Sequence, residues 1–122
     1  MNRANLARRL NSLALIFCFL GFGLWEIVKP AYWVGYAPDF ASKLGDILLL
    51  IRVHGIVLTV IALGILWGRF RVLFTGLAVL ILLEILVTVW FAAGFGETFI
   101  RDVTIFLFVL GLHAEAHAEK KE

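Results

Sequence analysis

Six ionisable side chains interrupt the apolar stretches of this chain: Glu26, Arg52, His54, Glu84, Arg101 and Asp102. A charge at the centre of a bilayer costs roughly 3 kcal/mol on insertion scales, so such residues pair with one another, face a polar interior, or mark a path for a substrate or proton. Glu26, Glu84 and Asp102 against Arg52 and Arg101 nearly balance, as a paired network requires. His54 adds a proton carrier, because imidazole exchanges protons near neutral pH. Three readings stand side by side. The five charged residues form a structural ion-pair network that fixes helix register, or they line a pocket for a small polar or quinone-type ligand, or they form a proton or ion path. The catalytic residues, if the chain is an enzyme at all, are not legible.

Each of these side chains needs an element to hold it, and four apolar runs provide the elements. They predict helices over about 10–28, 46–67, 70–92 and 98–113, each close to the roughly 20 residues that cross the hydrocarbon core except the shorter last one. The basic leader Arg3, Arg8 and Arg9 before the first run has the look of a secretion signal. No small-x-small cleavage site follows before Trp25, Glu26 and Lys29, so the run reads as an uncleaved helix. Pro30 ends it. Residues 30–45 form a loop on the outer surface, where Tyr32, Trp33, Tyr36 and Phe40 with Pro30 and Pro38 suit the lipid–water interface or a lid over the helices. The links Gly68-Arg69-Phe70-Arg71 and 93–97 are so short that the helices they join must be antiparallel neighbours. Residues 114–122 form a polar tail, into which Ala114, Ala116 and Ala118 can carry the last helix. Membrane strands need only about ten residues and alternate with period two, and that pattern is absent.

Composition supports the same reading. Of 122 residues, 62% are hydrophobic and 16% charged, against about half and a quarter in soluble domains. The excess apolar surface needs lipid. The net charge of +2 does not point to nucleic acid, because the basic residues are spread between apolar runs and form no basic face. Their distribution instead orients the chain. With the N-terminus inside, the inner loops and ends hold Arg3, Arg8, Arg9, Arg69, Arg71, Lys120 and Lys121, while the outer loop holds Lys29 and Lys43. Excess Lys and Arg mark the cytoplasmic side. The expectation is a single all-α domain, a membrane four-helix bundle with up-down-up-down connectivity, multi-pass in the cell (inner) membrane, with both termini cytoplasmic.

This topology brings the ionisable residues to one level. Arg52 lies about 9 Å and Glu84 about 12 Å below the outer surface at the helical rise, and Glu26, Arg101 and Asp102 lie near outer helix ends. Arg52, Gly55, Thr59 and Ala62 share one face of the second helix, and Gly76, Leu80, Glu84 and Thr88 one face of the third. Such small and polar stripes suit close helix contacts in membranes. The expectation is that Glu84 pairs with Arg52 or Arg101, with Glu26 and Asp102 closing the network above it, while His54, about 200° around the helix from Arg52 at 100° per residue, stands off that stripe.

The remaining chemistry-bearing residues say less. Cys18 is alone, so it forms neither an internal disulfide nor a dithiol redox pair, and reads as a packing residue. His113 and His117 share a helical face and would suit two metal ligands. Beyond Glu115 and Glu119 in the same tail they have no third, so no metal site is expected there. Gly64 and Gly68 read as packing positions. A dithiol, a haem pair and a nucleotide loop are all missing, so no intrinsic cofactor is expected and quinone is the redox partner left open.

The chain resembles the DoxX-like family of small four-helix membrane proteins. The resemblance rests on Gly21-Phe-Gly-Leu-Trp-Glu-Ile-Val-Lys-Pro30 with Tyr32, Trp33, Tyr36 and Pro38, on Gly64-Ile-Leu-Trp-Gly68-Arg69-Phe70, and on Ile100-Arg101-Asp102, and it spans about residues 13–112. Members often carry a glutamate in the second helix where this chain has Arg52-Val53-His54-Gly55. The resemblance implies a four-helix fold. Because the family includes a quinone-linked thiosulfate oxidation subunit, it also implies an accessory or ligand-binding role beside a membrane redox system, within a larger membrane complex or with a soluble redox partner. A quinone-linked oxidoreductase component and a proton-coupled small transporter are the alternatives.

Overall fold

The computed structural model describes residues 2–36, 43 and 45–121. They form α1 (Arg3–Val28), a 3-10 helix over Pro30–Tyr36, α2 (Ile47–Trp67), α3 (Arg71–Ala93) and α4 (Glu97–Lys121), with no strand among the described residues. The protein is all-helical as its apolar runs require. α1, α2 and α3 are each long and apolar enough to cross a membrane. Large apolar side chains such as Phe17, Leu49, Leu63, Leu66, Leu80 and Phe91 are exposed, a surface that suits hydrocarbon and not water. The chain is thus a multi-pass membrane protein.

Local chemistry sets the helix ends. α1 begins at Arg3 and not near residue 10, because the Asn2 side chain accepts the Asn5 N–H at 2.8 Å and caps the first turn. Asp46 caps α2 by accepting the Leu48 N–H at 3.0 Å. Gly68 closes α2 with a φ of 81°, a left-handed conformation that glycine adopts without penalty. Gly68 is therefore a cap, and only Gly64 of that pair packs inside a helix interface, against the Phe74 ring. α4 continues to Lys121 where a tail was expected from residue 114. Alanine is the strongest helix former, and the Glu115 carboxylate lies 3.5 Å from Arg8 Nε and 3.9 Å from Arg71 Nη2, which ties the extension to α1 and α3.

The helices pack most extensively as α1 with α2 and as α3 with α4. α2 and α3 touch less, and α1 and α4 less again. Leu15, Phe19, Leu58, Ala62, Leu82 and Val109 fill the shared core. The 3-10 helix lies across α1, α2 and α3. Trp25 stacks on Tyr32 at 4.7 Å, and Trp33 meets Phe22 and Trp25 edge-on at 5.5 and 5.3 Å. The expectations for Pro38 and Phe40 fall outside the described residues.

Candidate functional site

The site begins with a backbone crossing. A Cβ on Gly55 would lie 2.6 Å from the Gly23 carbonyl oxygen and 2.9 Å from Glu26 Cβ. Only two glycines allow α1 and α2 to come this close. Glu26 stands on the α1 face one turn after Gly23, and His54 precedes Gly55, so the crossing delivers a carboxylate to an imidazole. His54 Nδ1 lies 2.8 Å from Glu26 Oε1. The other ring nitrogen, Nε2, lies 2.9 Å from Glu84 Oε2 on α3. Thr88, one turn further along α3, donates its hydroxyl to Glu84 Oε1 at 3.0 Å. One imidazole therefore bridges three helices. Glu26 is buried, whereas the Glu84 side chain is 50% exposed, at the seam between α2 and α3.

The bridge constrains its own protons. A neutral imidazole offers one donor and one acceptor, and an ionised carboxylate only accepts. Two hydrogen bonds can form in two ways. Either an imidazolium donates to both carboxylates, or a neutral ring donates to one and accepts from the other as a carboxylic acid. Both arrangements hold two protons in the two bonds, and both leave the three groups with one net negative charge. A proton can pass between the carboxyls through the ring without change of net charge.

α4 contributes a second pair. Arg101 Nε donates to the buried Asp102 Oδ1 at 3.2 Å. The guanidinium stands 5.6 Å from the Phe22 ring centre, within cation–π range. Between these two polar groups lies a cavity of about 350 Å³, lined by all four helices and by Trp33 of the 3-10 helix. Phe19, Phe22, Ile51, Leu82 and Ile85 supply much of its apolar wall, and the half-buried Cys18 opens onto it.

Five of the six residues singled out from sequence face this cavity: Glu26, His54, Glu84, Arg101 and Asp102. Arg52 does not. It is exposed and pairs with none of the described residues. The expected pairing of Glu84 with Arg52 or Arg101 is replaced by the contact with His54, and Arg101 turns to Asp102 on its own helix. The reason is the direction of the α2 side chains. Gly55 faces α1, and His54, 100° around the helix from it, points along the α1–α3 gap, while Arg52 is carried away from it. Thr88, which shares the α3 face expected for Glu84, also lines the cavity, as do Cys18 and Thr98, which the sequence reading did not join to the site.

The other histidines serve packing. His113 Nδ1 lies 2.9 Å from Thr75 Oγ1, whose hydroxyl donates to the Arg71 carbonyl at 2.7 Å, so the ring N–H donates to the threonine oxygen. The His113 and His117 rings meet edge-on at 4.6 Å. Among the described residues no group of three or more His, Cys, Asp or Glu could hold a metal ion. Comparison with family models, with curated proteins and with solved structures finds no match to this chain.

Proposed function

We propose that this chain is a small four-helix membrane bundle, with up-down-up-down connectivity and both ends cytoplasmic, that binds a small, largely apolar ligand in its outer half. The observation that carries this reading is the cavity itself. Its volume of about 350 Å³ falls within the range of ligand pockets, and apolar walls around a few convergent polar groups are their usual form. A purely structural ion pair would close on itself and exclude space. Here the imidazole bridge and the Arg101–Asp102 pair face the same opening. The excess of Arg and Lys at the inner ends supports the orientation and an inner-membrane location.

The resemblance to the DoxX-like family supports a second reading, in which the ligand is a quinone and the chain is an accessory subunit of a larger redox assembly. His54 and the carboxyl groups are suitable hydrogen-bond partners for quinone oxygens. The test of the ligand reading is gentle purification followed by native mass spectrometry. A stoichiometric small molecule should accompany the protein and should disappear from Ile85→Trp, which fills the cavity, while helix content is retained. A wild-type protein with no bound molecule and no saturable binding of any lipophilic probe would refute it.

A further inference from the structure

We propose that the cavity selects a lipophilic monocation, an amine or quaternary ammonium carrying an apolar group, and that a proton competes with it for the same negative charge. This rests on the ligand-cavity reading and deepens it.

The charge balance of the lining carries the inference. The ionisable groups that face the cavity are Cys18 and Glu26 from α1, His54 from α2, Glu84 from α3, and Arg101 and Asp102 from α4. Both hydrogen-bonded forms of Glu26, His54 and Glu84 keep one negative charge. Arg101 does not cancel it, because its Nε is held by Asp102 at 3.2 Å and that pair is neutral by itself. The thiol of Cys18 adds no positive charge. The cavity, walled largely by apolar side chains with Glu84 half exposed at its edge, therefore holds one negative charge without a fixed counter-ion among the described residues, and the share of it on the buried Glu26 is costly.

Two events remove that cost. A third proton can settle on the Glu26–His54–Glu84 group and bring it to neutrality, or a ligand can bring its own positive charge. A neutral ligand displaces solvent from the charge and offers nothing in return, and an anion adds repulsion. The walls favour the cation further. Phe22 already accepts the Arg101 guanidinium 5.6 Å from its ring centre, and Phe19 and Trp33 line the same space. Aromatic faces attract quaternary ammonium groups, which are weakly hydrated and need no hydrogen bond. Because the proton and the cation neutralise the same charge, each weakens the binding of the other.

The experiment compares two molecules of the same shape on the wild-type protein in detergent. Benzyltrimethylammonium and its uncharged carbon isostere, neopentylbenzene, are titrated calorimetrically at several pH values between about 5 and 8. The cation should bind at least about tenfold more tightly than the isostere at the upper end. Its affinity should fall as pH falls, by at most about tenfold per pH unit for one exchanged proton. Glu84→Gln should weaken the cation severalfold and leave the isostere unchanged. The isostere comparison needs no variant, so misfolding of Glu84→Gln does not blunt it. Equal, pH-independent binding of the two molecules overturns the inference. Binding of a neutral short-chain quinone without binding of the cation overturns it as well, while the ligand-cavity reading stands. Failure of all three probes to bind overturns it too, and together with no bound molecule in the purified protein removes the ligand-cavity reading as well.

Discussion

A Cβ placed on Gly55 would stand 2.6 Å from the carbonyl oxygen of Gly23. α1 and α2 thus meet backbone to backbone at these two glycines, and the contact of Glu26 with His54 depends on that closeness. The polar bridge is a consequence of two glycines that carry no chemistry themselves.

Gly55→Ala should therefore act at a distance from its own methyl group. Overpacking a tight interface costs about 1–3 kcal/mol, and the helices must separate to accept it. Thermal unfolding in detergent should show the loss. Gly21→Ala is the control, because nothing lies within 4 Å of the added atom, and alanine is the better helix former by roughly 1 kcal/mol. Equal stability of the two variants would contradict the close crossing.

Breaking the bridge should harm the protein more than removing it. His54→Leu leaves the buried Glu26 carboxylate without its partner, a state that costs roughly 3–5 kcal/mol where burial is deep. Glu26→Leu combined with His54→Leu removes the stranded charge and should recover most of that loss. Glu84→Leu alone should cost less than His54→Leu, since the Glu84 side chain is half exposed and its interactions are screened or relieved at the seam. Melting temperatures of the four proteins, wild type included, decide this. A double variant less stable than His54→Leu would show that the bridge contributes more than charge pairing.

The helices were legible because their signal is collective. Some twenty apolar residues in a row leave one solution in lipid, and single misjudged positions do not alter it. Lys and Arg in short loops orient such runs by the same kind of sum. The site was legible only in part, because partner choice depends on single angles. Of the five charged residues expected at one depth, Glu26, Glu84, Arg101 and Asp102 line one cavity and Arg52 does not. Glu84 was given the wrong partner because Arg52, Gly55 and Thr59 were read as one inward stripe. Gly55 is indeed buried, but Arg52, 60° around the helix from it on the side away from His54, is exposed. His54, dismissed by its angle from Arg52, lay close to the α3 side. The second signal was available in Gly23 and Gly55, whose pairing across α1 and α2 would have placed Glu26 beside residue 54.

Reporter fusions test the orientation. A fusion after residue 122 and an insertion at Gly35, which has open space around it, should report opposite sides of the membrane. The first should read cytoplasmic if the excess of Arg and Lys at Arg3, Arg8, Arg9, Arg69 and Arg71 marks the inner side, as proposed. Reports from the same side would mean that one apolar helix lies along the membrane and does not cross it.

Cys18 gives a direct view of the cavity. It is the only cysteine in the chain, half-buried and on the cavity wall, so a single added mass reports a single place. A reagent must pass between helices to reach it, and reactivity of a thiol follows access as well as ionisation. Methyl methanethiosulfonate, small and apolar, should label the folded protein faster than a bulky anionic maleimide by about tenfold or more after each rate is divided by that for the unfolded chain. Ile85→Trp should slow the small reagent, because the indole occupies the space beside the sulfur. Saturating benzyltrimethylammonium should protect as well if it occupies the same space. Intact mass spectrometry over time gives each rate. Labelling by the bulky anionic reagent at the rate of the small one would place Cys18 in open water, and the cavity could not then lie where α1, α2, α3 and α4 enclose it.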